Sequence, residues 1–173
     1  MKRILAALFV ALVVALLGTI GVASAKPPHN FTTGAGKVEV TFPDQGNRVE
    51  KFAFSAHAIG STTAARNGHY VYEQTRTFAT GSTTTLELKG SVDCVWVEEN
   101  RVYFGGPIKK SNDPNLVGGF ANFDVVDNDQ PHGNGADPDE FLFAGTSSIS
   151  ICVPPLLAGN PLTSGNIVVN NAQ

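Results

Sequence analysis

The stretch KVEVTFPDQGNRVEKFAFSAHAI, residues 37–59, carries the pattern that decides the fold. Residues 37–42 alternate valine with charged or polar side chains, and residues 49–59 alternate in the same way, with Phe52 and Phe54 on one face. A period of two residues is typical of a strand that buries one face. The segment PDQGN between the two runs has the composition of a turn. We therefore predict a β-hairpin with one apolar face.

The rest of the chain repeats this pattern. Short alternating runs are separated by clusters of Gly, Asn, Asp and Pro, and no helical period is present. The predicted strands cover residues 69–78, 83–97, 102–108, 118–126, 141–153 and 166–169. Residues 83–97 are long enough for one bent strand or two, and Gly90 is the expected kink or bulge within them. We predict one all-β domain, an antiparallel sandwich or barrel of about eight or nine strands.

The N-terminal residues 1–25 have the composition of a secretory signal peptide. Two basic residues precede an apolar run over residues 4–22, and the segment ends in Ala-Ser-Ala. This order predicts export and cleavage after Ala25, which leaves a secreted domain of residues 26–173. The alternative is an uncleaved anchor, because the apolar run is nearly long enough to span a bilayer.

The charge balance of the mature chain argues against a nucleic-acid partner. Removing Lys2 and Arg3 from the 12 basic residues leaves 10 against 15 acidic ones, a net charge of −5. Phosphate binding needs a clustered basic face, and the longest basic run is Lys109-Lys110. The mature chain also has no second apolar stretch of bilayer length, so we predict no membrane span in it.

Cys94 and Cys152 are the two cysteines of the chain. In an exported protein they are expected to pair, because the extracellular environment is oxidising. Both stand in strand-like contexts, which favours a bridge between strands. A free thiol, including a nucleophilic one, is the alternative.

The acidic segment over residues 127–140 is the strongest candidate site. Calcium prefers six to eight oxygen ligands on a tightly turned backbone, and glycines allow this segment to turn sharply. The spacing does not fit an EF-hand. The predicted ligands of a structural Ca²⁺ ion are Asp127, Asp129, Asp137, Asp139 and Glu140. The alternative is a solvated loop in which Asp and Asn cap turns.

A second, weaker candidate is an aromatic and polar strip. Tyr70, Tyr72, Gln74 and Arg76 share one face of a predicted strand, where they could stack against a sugar or an aromatic ligand. The alternative is half-buried packing with polar tips. Trp96 shares a face with Cys94, and it is expected either in the core beside the disulfide or on an exposed binding platform.

No catalytic motif stands out. The four histidines lack the spacing of a metal pair, and the nucleophile motif Gly-x-Ser-x-Gly is absent. Paired carboxylates allow a glycosidase hypothesis, but the chain has only 1 Trp and 3 Tyr to line a sugar-binding cleft. We therefore predict that the protein is not an enzyme.

Several short motifs resemble small secreted bacterial β-domains of the post-COAP type. The motifs that carry the resemblance are GAGKV at residues 34–38, FAF at 52–54, VWVEENRVYFGG at 95–106, DVVDN at 124–128, DPDEF at 137–141 and GNIVV at 165–169. The resemblance spans most of the mature chain. It implies a compact β fold and export, and it implies no established activity.

Three functions follow as hypotheses. The first is a secreted, non-catalytic domain that binds an extracellular ligand or a cell-envelope component, with calcium as a possible stabilising ion. The second is a carrier of small molecules or lipids, whose barrel interior would be lined by Phe52, Phe54, Phe141 and Phe143. The third is a hydrolase of extracellular polysaccharide, which would need a carboxylate of raised pKa in a cleft.

Overall fold

The computed structural model describes residues 29–59, 65–128, 137–149 and 159–170. The signal peptide prediction for residues 1–25 lies outside them. In the described residues every paired strand is antiparallel to its neighbour, which confirms the predicted all-β, antiparallel class. No helix in this part of the chain is long and apolar enough to cross a membrane.

Ten strands make up the described structure. They are β1 (His29–Phe42), β2 (Gly46–Ile59), β3 (Ala65–Thr77), β4 (Thr83–Ser91), β5 (Cys94–Glu98), β6 (Arg101–Ser111), β7 (Phe120–Val126), β8 (Glu140–Ser147), β9 (Asn160–Pro161) and β10 (Ser164–Asn170). A 3₁₀ turn, η1 (Pro114–Leu116), lies between β6 and β7. Residues 83–97 divide into two strands, which is one of the two predicted alternatives, and the two-residue β9, which has no sequence signal, brings the number to ten.

The strands form one sheet that curls back on itself. Their order is β10-β1-β2-β3-β4-β6-β7-β8-β9, with β5 also paired to β6. β9 and β10 stand at opposite ends of this order, yet only Leu162 and Thr163 separate them in the chain. The Thr163 amide donates to the carbonyl of Lys37 at 2.8 Å, and the Leu162 amide donates to that of Asp139 at 2.8 Å. These bonds hold the two ends of the strand order near each other, and the sheet forms a curled half-barrel.

The predicted hairpin is present as β1 and β2. Their register runs from His29 opposite Ile59 to Phe42 opposite Gly46. The Gln45 amide donates to the Phe42 carbonyl at 3.1 Å and closes the turn. Gly46 has φ of 95°, a conformation that favours glycine. The turn composition therefore identified the correct loop.

Stacked aromatic rings fill the interior of the curled sheet. Phe52 on β2 stacks on Phe141 of β8 with ring centroids 3.9 Å apart, and Phe54 lies 4.7 Å from Phe104 of β6. Phe123 on β7 lies between the two halves of the sheet. Its ring contacts Tyr70, Tyr72, Phe104, Phe141 and Phe143. The phenylalanines that would line a carrier cavity thus pack on one another or on neighbouring rings.

A bulge interrupts the pairing of β4 with β6. Lys89 faces Lys110, but the next residue, Gly90, faces Ile108, so the register shifts at this point. A Cβ at Gly90 would lie 2.2 Å from the Pro107 carbonyl oxygen. Only glycine fits such a close approach. The kink or bulge expected at Gly90 is therefore confirmed.

Two aspartates fasten β10, the terminal strand of the sheet. Asp127 accepts a hydrogen bond from the Val169 amide at 2.8 Å, and Asp139 accepts one from the Ile167 amide at 2.7 Å. The second oxygen of Asp139 accepts from the Asn128 amide at 2.9 Å. Asp127 and Asp139 thus accept hydrogen bonds from the edge of β10 that is not paired with β1. We call these two residues the aspartate clasp.

Candidate functional site

Three lysines come together on the outer face of the sheet where β4 meets β6. Lys89 on β4 lies directly opposite Lys110 on β6, and Lys109 is the extra residue of the bulge. In a regular strand, two consecutive side chains point to opposite faces. A bulge places two residues of one strand against one residue of its partner, and here both Lys109 and Lys110 are exposed. The bulge therefore gives the outer face three ammonium groups.

A cavity of about 420 Å³ lies among these lysines and opens widely to solvent. Its lining also includes His69, Val71, Gly90 and Ser91, with the buried Tyr70 beneath. A second cavity of about 220 Å³ shares Lys89 and Lys110 with the first. We call these two neighbouring cavities together the basic groove, and their lining includes one carboxylate, that of Glu87 in the second cavity.

The positive charge of the basic groove is not balanced by close ion pairs. Across residues 29–59, 65–128, 137–149 and 159–170, the recorded ion pairs involve Lys37, Arg48, Lys51 and Arg101, and none involves a lysine of the groove. Like charges directly opposite each other on neighbouring strands are destabilising. The Lys89–Lys110 pair is therefore unfavourable for stability, and a bound anion would relieve the repulsion.

The rim of the basic groove adds hydrogen-bonding groups. His69 Nδ1 lies 3.1 Å from the Ser55 hydroxyl, which orients the imidazole ring. The Asn112 side chain forms two hydrogen bonds with the backbone of β4. It accepts one from the Glu87 amide at 2.9 Å and donates one to the Thr85 carbonyl at 2.8 Å. Both ends of the groove are therefore held by specific bonds.

The predicted calcium ligands have different environments. Asp127 and Asp139 are buried in the aspartate clasp, Asp137 is exposed, and Glu140 begins β8. Asp129 lies outside the described residues. Among the residues that the structure describes, no group of three or more His, Cys, Asp or Glu side chains is arranged to hold a metal. The calcium site stays a prediction.

The strip on β3 faces inward. Tyr70 and Tyr72 are buried core residues, and burial raises the pKa of both phenols. Arg76 lies at the end of this strip, with its guanidinium 4.8 Å from the centre of the Phe78 ring. The predicted common face of these residues is confirmed, and it serves packing, as the alternative interpretation expected. The tyrosines are therefore closed to direct stacking with an external ligand.

Trp96 lies on the opposite face from the core. Val95 is buried, whereas 42% of Trp96 is exposed, so the expectation of a core tryptophan is wrong. Val95 and Val97 precede and follow Trp96 in the strand. Because successive side chains alternate between the two faces, the valines point inward and the indole of Trp96 points outward. Cys94 begins β5, and Cys152 lies outside the described residues, so their disulfide stays a prediction.

Two buried carboxyl groups have a raised pKa. Burial raises the pKa of Glu50, and the nearby Arg48 opposes that shift. Burial likewise raises the pKa of Asp124, against the opposing hydrogen bonds from Arg101. Glu50 is only 2% exposed and Asp124 only 1%, and neither lines the basic groove. Both are interior groups, which does not favour the hydrolase hypothesis.

The basic groove was not predicted from the sequence, although two of its signals were noted. Lys109-Lys110 is the longest basic run, and Gly90 was the expected bulge. What was missing was the register that places Lys89 opposite Lys110. That register depends on the pairing of β4 with β6, two strands that β5 separates in the chain, and no local motif predicts it.

Comparison with known proteins does not add a functional assignment to this geometry. The resemblance to post-COAP-type domains stays a prediction based on short motifs. The chain matches no protein-family model, no curated protein and no solved structure.

Proposed function

We propose that this chain is an exported, non-catalytic binding domain that recognises an anionic component of the cell envelope. The observation that carries the proposal is the basic groove, where Lys89, Lys109 and Lys110 share one face and form no ion pair among the described residues, so that three positive charges exceed the single carboxylate of Glu87 that also lines the groove. Lysine ammonium groups are point charges that bind phosphate, sulfate or carboxylate groups.

The basic groove is opposite in charge to the domain as a whole. After removal of the predicted signal peptide the chain has a net charge of −5, so the groove is a positive site on an acidic protein. Such a site attracts an anion locally, while the rest of the surface repels extended polyanions. Three lysines are also fewer than the roughly six to ten phosphate contacts of typical DNA-binding proteins. A local anionic group is therefore favoured over nucleic acid.

The two alternative functions have less support. A carrier needs an apolar pocket of about 300 to 1,000 Å³ inside the barrel. The four phenylalanines named for that pocket instead contact other aromatic rings. A hydrolase needs a titrating carboxylate within reach of substrate. Glu50 and Asp124, whose pKa values are raised, are both buried.

Neutralising the lysines tests the proposed function. We expect the triple variant K89Q/K109Q/K110Q to bind sucrose octasulfate, a compact sulfated probe, about tenfold more weakly than the wild type. An exposed charge contact contributes about 0.2 to 1 kcal/mol, and three contacts of about 0.5 kcal/mol each correspond to about a tenfold change in affinity. Isothermal titration calorimetry at low and physiological salt would measure it, because salt screens such contacts.

The matched control for this experiment is Lys51→Gln. Lys51 is exposed on the same face but forms an ion pair with Glu73 at 3.0 Å. This variant removes one surface lysine outside the basic groove and should keep nearly full affinity. Equal weakening by Lys51→Gln and by each single groove variant would mean that binding depends on overall charge, and the proposed site would then be wrong.

Calcium is retained in the proposal as a stabilising ion of the acidic segment, residues 127–140. If it binds there, millimolar Ca²⁺ should raise the unfolding midpoint by several degrees relative to EDTA, because a ligand that binds only the folded state stabilises it. Mg²⁺ should not replace it. Asp137→Asn is the suitable variant, because Asp137 is exposed and Asp139 already bonds to two backbone amides. A midpoint that does not respond to Ca²⁺ would remove calcium from the proposal.

A further inference from the structure

An apolar row crosses the outer face of the sheet and ends at the basic groove. The strand register places Ala35 opposite Ala53, Ala53 opposite Val71, and Val71 opposite Lys89. Both alanines are exposed, and Val71 is 41% exposed. Lys89 then faces Lys110. One row across the strands thus changes from small apolar side chains to ammonium groups.

Longer polar side chains flank this row on both sides. On one side Lys51 forms its ion pair with Glu73 across β2 and β3. On the other side the Ser55 hydroxyl lies 3.1 Å from His69 Nδ1 across the same two strands. Because side chains two residues apart lie on the same face, these pairs border Ala53 and Val71 directly. We call the row Ala35–Ala53–Val71 the apolar trough.

We propose that the ligand of the basic groove is a monomeric, single-chain anionic amphiphile. Its anionic head binds Lys89, Lys109 and Lys110, and its hydrocarbon chain lies along the apolar trough. This inference rests on the proposed function, because it uses the same groove and names the chemical class of the ligand.

The shape and charge of the surface support one chain of this kind. From Lys89 to Ala35 the trough crosses three strand spacings, about 14 Å at ~4.8 Å per strand. No charged residue lies in the row between Lys89 and Ala35. A polar polymer would gain little from two alanines and a valine, whereas a hydrocarbon chain would remove their surface from water. The interior rings are already packed, so the chain lies outside the half-barrel.

A series of alkyl phosphates tests the inference. Methyl, butyl, octyl and dodecyl phosphate would be titrated into the secreted chain, each below its critical micelle concentration. We expect affinity to rise roughly twofold per added CH₂, about half the effect of complete burial. The rise should stop once the chain extends past Ala35. NMR shifts of the Val71 methyl groups should grow with chain length.

Two valine variants locate the hydrocarbon chain. Val71→Ser should weaken octyl phosphate about fivefold and methyl phosphate by much less. Val168→Ser is the matched control, because Val168 is 38% exposed on β10 and lies outside the row. If the control weakens octyl phosphate as much as Val71→Ser does, the chain does not lie in the apolar trough.

The outcomes separate this inference from the proposed function. Equal affinity for all four phosphates, abolished by K89Q/K109Q/K110Q, would overturn the amphiphile and leave the anion site standing. Binding only to anionic vesicles, without binding of monomeric alkyl phosphates, would also overturn it and indicate a membrane surface. No binding of any alkyl phosphate or of sucrose octasulfate would overturn both proposals.

Discussion

Phe123→Ala is expected to lower the free energy of unfolding by about 4 kcal/mol, within the usual range for removing a buried phenylalanine. The Phe123 ring contacts five other aromatic rings and joins the two halves of the curled sheet. Its removal leaves a cavity at the centre of this cluster, and the rigid rings around it have limited freedom to collapse into the space. Urea unfolding followed by circular dichroism would measure the change.

Phe143→Ala is the control for this prediction. Phe143 is only partly buried, so its removal should cost roughly half as much. The Phe123→Ala cavity should also bind a small apolar molecule such as benzene, as dry engineered cavities do. The wild type should not bind benzene there. If the wild type binds apolar molecules in its interior and Phe123→Ala does not improve that binding, the carrier hypothesis becomes the better one.

The aspartate clasp gives the second large effect. Asp139→Ala is expected to destabilise the fold by about 3 kcal/mol, because the Ile167 and Asn128 amides both lose their acceptor. A buried donor without a partner costs about 1 to 3 kcal/mol. The unfolding midpoint should fall by roughly 10 °C for a domain of this size. Differential scanning calorimetry would measure it.

Two further variants make the clasp prediction specific. Asp139→Asn keeps one acceptor and should cost less than Asp139→Ala. Asp137→Ala removes an exposed carboxylate of the same acidic segment and should be nearly neutral. If Asp137→Ala and Asp139→Ala destabilise equally, the effect belongs to the charge of the segment and the clasp is not important for stability.

Much of the fold follows from local patterns in the sequence. Alternation in residues 49–59 correctly separates the inward Phe52 and Phe54 from the outward side chains, because one face of the strand must be buried. Gly90 marks the bulge because a side chain there would collide with the Pro107 carbonyl. Both signals involve residues close together in the chain, so the sequence alone is sufficient to predict these two features.

Other features depend on contacts between distant residues. Alternation does not determine which face of a short strand is buried when apolar residues lie on both faces, which is why the sequence leaves Trp96 open between the core and an exposed platform. The composition of residues 127–140 is equally suited to calcium and to backbone capping. Only the three-dimensional structure shows that Asp127 and Asp139 bond to amides of β10, which follows them by about 30 to 40 positions.

The basic groove likewise depends on contacts between residues that are distant in the sequence. Lys89 and Lys110 are 21 positions apart, and their side-by-side position depends on the register of β4 with β6. Consecutive lysines in a strand are expected on opposite faces, so the run Lys109-Lys110 alone indicates a weaker patch than the structure has. The bulge changes that geometry, and its effect on charge is visible only once both strands are placed.

The position of the aspartate clasp also bears on self-association. A terminal strand with open amide groups can pair with a strand of another molecule and begin an aggregate. In β10 the amides of Ile167 and Val169 are bonded to carboxylates, so an incoming strand would have to displace two charged acceptors. The same two aspartates that close the half-barrel therefore protect its last strand from intermolecular β-pairing, which favours solubility at high local concentration.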